Sequence, residues 1–541
     1  MKKCCFILLT ILVSVSLNAQ MNMDPGLDYS KALKTDYEAY DPAPFVSTVN
    51  KEDLHKYISK LASDEFEGRE TGQPGNRKAA DFIRDRFVEF GIPPVPGTGS
   101  YFQTMQFNWN SWNKVEMVAD GEEYRHGWDF LAFHANNSSL DLKNIKEVIF
   151  AGYGIEGDGF SDYANANVRD KVVVVLNGEP KDKSGISLIT GTEDPSDWST
   201  DWTKKVKLAK AKGAKAILVV HNKLQSVASE NRPLWFGRQT TLGAMPDFDE
   251  LCNNFYLSSS SAKLLFGRSY KKVVRARKKI QKKKAFKAVP IETDLTILLD
   301  KKESKLVGDN VLGYIEGSDP ALKDELLVIT AHYDHLGKRG KDIYNGADDN
   351  ASGTSTVLEV AQAFAEAKKA GKGSRRSVLC MMVTGEEKGL LGSKYYTQKP
   401  VFPLEKTIVN INVDMVGRVD KKYKDNPEYI YVIGSDRLST SLHAINEGVN
   451  DRFTNLVLDY TYNAESDPNR YYYRSDHYNF AEKGIPAIFY FNGTHKDYHR
   501  TTDTMDKINF EKMAKIGQLV FHTAWEIANR DDRIQVDVYT K

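Results

Sequence analysis

The sequence predicts an α/β fold with a mostly parallel central sheet covered by helices on both faces. After residue 309, near-continuous apolar runs of strand length alternate with amphipathic segments, which is typical of strands buried on both sides. The segment 354–370 places its apolar residues on one face, as a helix packed on a sheet requires. The predicted strands of this sheet are 311–315, 326–331, 377–384, 407–413 and 485–491.

A second, smaller mixed α/β unit is predicted at 143–290, inserted into the main domain. Strand, helix and strand follow one another there, an order that indicates a small α/β or mixed module. We therefore expect 20–142 to hold an N-terminal arm and the first part of the main domain, and 291–541 to hold the rest. The elements predicted in the insert are strands at 148–152, 171–176 and 216–221 and a helix at 202–212.

Length and charge limit the classes of function. A chain of 541 residues exceeds the usual size of one domain. Its 74 lysines and arginines nearly cancel 73 aspartates and glutamates, so no global field is available to attract nucleic acid or anionic membrane. We expect no nucleic-acid partner.

One local charge run departs from this balance. Residues 268–287 contain eleven basic residues, and four apolar residues are interspersed among them: Val273, Val274, Ile280 and Phe286. The charges alone would permit a nucleic-acid-binding patch. The interspersed apolar residues instead favour a helix that packs on one side and exposes its basic face to solvent.

The first 19 residues predict a cleaved signal peptide. Lys2 and Lys3 precede an apolar run at 6–15, and Ala19 offers a small residue at the cleavage point. The run is shorter than the ~20 apolar residues of a membrane span, and no later segment approaches that length. We expect a secreted or periplasmic protein without a membrane span.

Cysteine usage is sparse in the mature chain. Cys4 and Cys5 would leave with the signal peptide, so only Cys252 and Cys380 remain. Two cysteines cannot build a disulfide scaffold. Cys380 lies inside an apolar run, which predicts a buried thiol.

Three predicted core strands end in side chains that can bind metal. In open α/β sheets the ligand crevice lies beyond the carboxyl ends of the strands, so these side chains should meet at one edge. A single acid at such a position would more often be a helix cap or a surface charge. The residues in question are His332, Asp334, His335, Glu386, Glu387 and Asp414.

Two further segments add candidate ligands. The segment 346–353, Gly-Ala-Asp-Asp-Asn-Ala-Ser-Gly, precedes a predicted helix and would also suit an Asx turn with an N-cap. His499 follows the last predicted strand. Histidine and carboxylate without thiolate suit zinc in a catalytic site. The sequence contains neither H-E-x-x-H nor G-x-S-x-G, the motifs of competing hydrolases.

Taken in order, these motifs resemble the co-catalytic dizinc aminopeptidase family, which includes bacterial leucyl aminopeptidases and, more distantly, glutamate carboxypeptidase and the transferrin receptor. The resemblance implies a zinc exopeptidase fold, and the inserted unit resembles the protease-associated domain of longer members. The segments that carry it are 61–64, 68–69, 71–72, 332–334, 346–353, 386–387, 414, 475–477 and 499–504.

The resemblance also implies a role for each site residue and two Zn²⁺ ions per chain. Asp349 would bridge both ions, and the peptide bond after it would be cis. Glu386 would be the general base. The remaining roles would be Glu387 and His499 on one ion, His332 and Asp414 on the other, Asp334 orienting His332, Asp476 and His477 behind the ligands or in the wall, and Tyr472 as the phenol that steadies the oxyanion.

The function predicted is a secreted dizinc exopeptidase acting on peptides, most simply an aminopeptidase; the oligomeric state is left open. Segments 475–477 and 484–486 resemble the aminopeptidase branch. Arg470 and Arg474 keep a carboxypeptidase or dipeptidase open, because a free carboxylate needs a cation. Two rivals are a receptor-like binding protein on the same fold and a glutaminyl cyclase, which should alter the bridging-aspartate motif and lack the insert.

Overall fold

The computed structural model describes residues 28–157, 160–243, 251–281 and 287–538. The predicted signal peptide, 1–19, lies outside these residues. Among the residues described, every helix is too short or too polar to cross a membrane.

The helices and strands are numbered in chain order. The helices are α1 Ala43–Val46, α2 Lys51–Leu61, α3 Pro74–Glu89, α4 Asp197–Thr200, α5 Trp202–Ala211, α6 Leu224–Glu230, α7 Arg232–Trp235, α8 Ser259–Phe266, α9 Tyr270–Gln281, α10 Gly353–Lys369, α11 Leu391–Gln398, α12 Thr440–Val449, α13 His477–Ala481 and α14 Phe510–Asn529. The strands are β1 Phe102–Ala119, β2 Glu122–Tyr124, β3 Phe130–Leu131, β4 Leu140–Phe150, β5 Glu156–Gly157, β6 Phe160–Ser161, β7 Val172–Leu176, β8 Ala216–His221, β9 Arg238–Leu242, β10 Asn253–Ser258, β11 Val289–Ile315, β12 Leu326–His332, β13 Gly337–Arg339, β14 Asp342–Tyr344, β15 Ser377–Val383, β16 Thr407–Val413, β17 Tyr429–Ile433, β18 Val457–Asp459 and β19 Ala487–Phe491.

The chain divides into two compact units. The large unit is formed by the residues up to Thr104 and from Gly308 onward, and the small unit is Met105–Val307. The predicted insert, 143–290, lies inside the small unit, which also takes in 105–142 and 291–307. The small unit extends beyond the predicted insert because β3, the start of β4 and the first half of β11 pair within its sheet.

The sheet of the large unit has the strand order β18, β17, β19, β16, β12, β15 and the end of β11. β19, β16, β12 and β15 run parallel, with Ile329 of β12 opposite Ile411 of β16 and Cys380 of β15. The flanking pairs β17–β19 and β11–β15 are antiparallel. The five strands predicted for this sheet are present, and the prediction of a mostly parallel sheet is confirmed.

Helices cover both faces of this sheet, as the continuous apolar strands predict. Leu327 and Ile329 of β12 pack in one core with residues of α2, α3, α10 and α14. Leu326 and Val328 point to the opposite face, where they share a second core with residues of α11 and α13. Successive strand residues alternate between faces, so each strand contributes to both cores. β17 and α14 were not predicted from the sequence.

The small unit has its own mixed sheet. Strands β4, β7, β8 and β10 run parallel, with β3 and the first half of β11 antiparallel at the two sides. The strands and the helix predicted for this part of the chain are confirmed. Helix α9 buries Val273, Ala276 and Ile280, which confirms a packed helix within the basic run. Phe286 lies outside the described residues. Cys252 and Cys380 are both buried and free, as predicted for Cys380.

One carboxyl group is buried in the core of the large unit. Glu359 of α10 accepts a hydrogen bond from the backbone N–H of Asn50, the N-cap residue of α2, at 3.3 Å. Its other carboxylate oxygen has no hydrogen-bond partner. Burial raises the pKa of Glu359 from 4.5 to about 9, and the nearby Asp53 carboxylate contributes. The side chain is therefore protonated in the folded protein at neutral pH.

We expect Glu359→Gln to make the stability of the protein less sensitive to pH. In the unfolded chain the Glu359 carboxyl ionises above its ordinary pKa, whereas in the fold it stays protonated up to about 9. Folding therefore takes up a proton in this window, and this contribution to stability is lost as pH rises from about 5 to about 9. Urea unfolding from pH 5 to pH 9 measures the effect, with Glu366→Gln on the same helix as control. Equal pH slopes in the two variants would contradict the assignment.

Candidate metal centre

The ends of three parallel strands bring the predicted ligands to one edge of the large sheet. His332 is the last residue of β12, Glu386 and Glu387 occupy the turn after β15, and Asp414 directly follows β16. Because these strands are parallel neighbours, their carboxyl ends lie side by side.

The first group of donors surrounds His332, which is almost fully buried. Its Nε2 lies 3.2 Å from Oδ1 of Asp414 and 3.4 Å from Oδ1 of Asp349. The nearest oxygen of Glu386, Oε2, is 3.9 Å from the same nitrogen. His332, Asp349 and Asp414 could together hold a metal ion.

The second group lies on the other side of Asp349. Nε2 of His499 is 3.1 Å from Oδ2 of Asp349 and 3.4 Å from Oε2 of Glu387. Oδ1 and Oδ2 of Asp349 thus face different histidines. This is the arrangement required of a carboxylate that bridges two ions.

His335 is a candidate ligand that the predicted ligand set does not include. It is fully buried, and its Nδ1 lies 2.7 Å from Oε1 of Glu387. Its other ring nitrogen, Nε2, has no hydrogen-bond partner. His335, Asp349 and Glu387 form a second group that could hold a metal ion. The signal in the sequence is the second histidine of His-Tyr-Asp-His.

The loop that carries Asp349 is fixed by backbone and amide contacts. The Asp349–Asn350 peptide bond is cis, as predicted. The Asn350 side chain accepts from the N–H of Gly353 at 2.8 Å and donates to the carbonyl of Val413 at 3.0 Å. A side chain at Gly353 would meet that carbonyl, because a Cβ there would lie 2.2 Å from the Val413 oxygen. The segment therefore caps the following helix and presents Asp349 at the same time.

Two buried side chains brace the same loop. The Arg69 guanidinium donates to the carbonyl oxygens of Tyr333 at 2.8 Å and Gly346 at 2.9 Å, so it joins the segment after β12 to the loop. Oδ2 of Asp503 accepts from the backbone N–H groups of Asp348 and Asp349, at 3.0 and 3.2 Å.

Asp334 contacts His332 through its main chain. Nδ1 of His332 lies 3.1 Å from the backbone oxygen of Asp334 and 3.8 Å from its carboxylate. The carboxylate instead accepts from the hydroxyl of Thr71 at 2.7 Å and from the backbone N–H of Glu386 at 3.2 Å. The predicted orienting contact is therefore made by the carbonyl group, and the side chain positions the Glu386 turn.

Behind Asp414, the residue that touches the ligand is Ser475. Its hydroxyl donates to Oδ2 of Asp414 at 2.7 Å and accepts from the side-chain amide of Asn412 at 2.8 Å. Asp476 is buried and accepts from Ser393. His477 stacks on Phe489, with ring centroids 4.8 Å apart. Asp476 and His477 thus lie behind the donors, in the region predicted for them.

The structure does not place Tyr472 in the cavity beside these donors. Its ring packs under the Arg437 guanidinium, 4.8 Å away, and against His477. Residues 471–473 form one 3-10 turn, so consecutive side chains point in different directions. Among the described residues, the phenols that line the cavity are Tyr471 and Tyr498. The ring of Tyr498 stacks on His499 at 3.9 Å.

The cavity encloses about 40 Å³ and has a charged and an aromatic side. Its lining residues are His332, Asp349, Glu386, Asp414, Met415, Tyr471, Arg474, Phe489, Phe491, Thr494, Tyr498 and His499.

Crowded carboxylates shape the electrostatics of the site. Burial raises the pKa of Glu386 well above its usual range, and the carboxylates of Glu387 and Asp414 raise it further against the opposing effect of His332. Burial alone would also raise the pKa of Asp349, but His335 and the other facing histidines hold it well below its usual value. The site thus pairs one ionised central carboxylate with one that readily holds a proton.

The donor set fits zinc. It consists of imidazole nitrogens and carboxylate oxygens, the ligands of catalytic zinc sites. At zinc–ligand distances of about 2.0–2.1 Å, neighbouring donors of a tetrahedral ion are about 3.3 Å apart. The separations of 3.1 to 3.4 Å around His332 and His499 agree with this value. His335, which is fully buried, adds a third imidazole beside Asp349 and Glu387.

Fold and donor set define an α/β protein with a metal centre at the carboxyl edge of a mostly parallel sheet. Residues 310–524 match Peptidase family M28. This segment of the chain is therefore similar to Peptidase family M28, and zinc is the metal that the donor set supports.

Similar proteins agree with this assignment. A probable leucine aminopeptidase of Trichophyton verrucosum is 30% identical over 216 residues, which are 39% of this chain and 56% of that protein. Aminopeptidase YwaD of Bacillus subtilis is 26% identical over 259 residues, 47% of this chain and 51% of that protein. The chain thus spans about half the length of the curated relatives it matches. The structure of the aminopeptidase from Aneurinibacillus sp. strain AM-1 has the same fold, with a TM-score of 0.53 at 18% identity over 92% of this chain and 98% of that one.

The identification of the small unit as a protease-associated domain stays a prediction.

We expect Ser475→Ala to weaken zinc binding without unfolding the protein. The substitution removes the hydroxyl that holds Oδ2 of Asp414, and loss of such a supporting contact typically costs ~10-fold in metal affinity. Competition with a chromophoric chelator measures the affinity. Ser439→Ala, which removes a buried hydroxyl at the start of α12, is the control. Unchanged affinity in Ser475→Ala would show that Asp414 needs no such support.

Proposed function

We propose that this protein is a dizinc aminopeptidase that removes N-terminal residues from peptides. The observation that carries the proposal is the shared carboxylate of Asp349, which faces one group of donors with each oxygen. A mononuclear site would need only one of these groups. The names of the relatives favour aminopeptidase activity, and we propose export of the chain from its predicted signal peptide.

Each ion would have a distinct set of protein ligands. His332, Asp414 and Oδ1 of Asp349 would hold one ion. Glu387, His499 and Oδ2 of Asp349 would hold the other, with His335 as a fourth donor because it lies in one group with Asp349 and Glu387.

The chain's own residues supply the proton transfers. Zinc, when bound, would lower the pKa of a water molecule and polarise the scissile carbonyl group. Glu386 accepts the proton of the attacking water and passes it to the leaving amine. Its raised pKa suits this exchange, and its side chain, 13% exposed, reaches the cavity.

Tyr498 is the phenol placed to act on the substrate. Burial and the carboxylates of Asp349 and Glu387 raise its pKa, so the hydroxyl stays protonated and can donate. A donor beside the reacting carbonyl stabilises the negative charge that develops on its oxygen. We therefore propose Tyr498, in place of Tyr472, for this role.

A carboxypeptidase or dipeptidase is the second candidate, and one residue favours it. Arg474 lines the cavity, whereas Arg470 lies over the ring of Tyr473. Arg474 is exposed. Among the described residues, it is the only lysine or arginine that lines the cavity. It could bind the free carboxylate of a peptide.

The direct test is a mass-spectrometric time course with a mixed peptide pool and zinc-loaded protein. Products that shorten one residue at a time from the N-terminus would establish the aminopeptidase. Loss from the C-terminus would assign the enzyme to the second candidate, and Arg474→Ala should then abolish it. Absence of cleavage by protein that holds two zinc ions would favour a binding protein on the same fold.

Glu386→Gln should retain both zinc ions and lose at least ~100-fold in kcat, because it removes the proton acceptor and leaves every ligand in place. Steady-state kinetics and zinc content measured on the same sample separate the two effects. A variant that loses activity only in proportion to its zinc would assign Glu386 to metal binding.

We expect His335→Ala to lower zinc affinity at one of the two positions by at least ~10-fold. Zinc per chain after dialysis against graded chelator should then fall in two separated steps, with the first step at lower chelator than in the original protein. His522→Ala is the control, since His522 is a buried imidazole stacked on Phe453, remote from the donors. Identical release curves for the two variants would exclude His335 as a ligand.

A further inference from the structure

The small unit carries a concentrated positive charge that the site chemistry does not use. Residues 251–291 include twelve lysines and arginines and no aspartate or glutamate. The net charge of the whole chain is only +1, so this density is local. Helix α9 holds six of these cations, all exposed: Lys271, Lys272, Arg275, Arg277, Lys278 and Lys279.

Most of this charge does not stabilise the helix that carries it. Val273, Ala276 and Ile280 anchor α9 to the core on one side, which accounts for its folding. Cations three or four residues apart, such as Lys271 and Arg275, repel each other on the helix surface. Lys271 and Lys272 also stand in the first turn, where the helix dipole disfavours positive charge. Of the six cations, Lys278 and Lys279 stand in the last turn, where the dipole favours it.

Nor is the charge neutralised nearby. In the part of the chain that the structure describes, no carboxylate forms an ion pair with any of the six cations of α9. Other lysines of the same unit are paired: Lys204 lies 2.8 Å from Asp197, and Lys212 lies 2.6 Å from Glu156. The face of α9 therefore presents unpaired positive charge to the solvent.

Two exposed apolar side chains belong to α8 and to the start of α9. Leu264 of α8 is 64% exposed, and Tyr270, the first residue of α9, is 37% exposed. The ammonium group of Lys263 lies over the Tyr270 ring at 5.5 Å. Basic residues combined with exposed leucine and aromatic side chains are typical of surfaces that bind the interface of an anionic membrane.

We propose that the face formed by α9 and the end of α8 docks the protein on an anionic lipid surface. The cations of α9 would pair with headgroup phosphates, and Leu264 and Tyr270 would enter the boundary with the acyl chains. A nucleic acid would satisfy the charges as well, but it offers the exposed Leu264 no apolar environment. Lipid therefore accounts for both the charge and the apolar side chains.

The test is co-sedimentation of the full chain with vesicles. Vesicles of phosphatidylcholine are compared with vesicles that contain about one third phosphatidylglycerol, at salt from about 0.05 to about 0.5 M. We expect binding to the anionic vesicles only, weakening as salt rises. The combined change Lys271→Glu, Lys272→Glu, Arg275→Glu and Lys278→Glu should lower the partition coefficient at least ~100-fold.

Two controls distinguish lipid docking from general charge effects. The first control changes four exposed lysines of the large unit to glutamate, and vesicle binding should stay near its original value. These lysines are Lys372, Lys394, Lys421 and Lys424. The second control, Leu264→Ala, should lower vesicle binding while the net charge is unchanged.

Equal binding by the α9 variant and the original protein would overturn the proposal. So would absence of vesicle binding together with tight binding to duplex DNA, which would assign the face to nucleic acid. Circular dichroism and zinc content check that the variants are folded.

Discussion

The carboxylate of Asp349 is the interaction on which the arrangement of the metal centre depends. Its two oxygens face His332 on one side and His499 on the other, at 3.4 and 3.1 Å. A single buried carboxylate thus sets the position of both donor groups. A different rotamer of Asp349 would break its contact with at least one of these histidines, so its loop must be closely held.

The contacts around that loop join distant parts of the chain. Arg69, far upstream in the sequence, donates to the carbonyl of Gly346, and Asp503, far downstream, accepts from the backbone of Asp349. The amide of Asn350 reaches the end of β16 at Val413. The loop therefore takes its geometry from the N-terminal segment, the central sheet and the C-terminal segment together. Such bracing is what a metal centre needs if its donors are to keep separations near 3.3 Å.

Negative charge is concentrated in the metal centre. Glu386, Glu387, Asp349 and Asp414 crowd a buried site in which no single cation of the chain can neutralise them all. The histidines keep Asp349 ionised, while burial and its neighbours raise the pKa of Glu386. In the small unit the situation is reversed, since no carboxylate among the described residues forms an ion pair with the cations of α9.

The sequence by itself determined the α/β fold, five strands of the large sheet and most of the donor set. Continuous apolar strands must be buried on both faces, and parallel strands bring the residues that follow them to one edge. For this reason His332, Glu387 and Asp414 could be placed from their positions at strand ends. The tertiary structure alone decided which neighbouring side chains face the cavity. One-turn segments such as 471–473 point consecutive side chains in different directions, so Tyr472 could not be distinguished from Tyr471, nor Tyr498 recognised beside His499. The structure also adds His335 to the candidate donors and shows that the Asp334 carboxylate contacts Glu386. These contacts form between segments that are far apart in sequence, and local periodicity carries no information about such contacts.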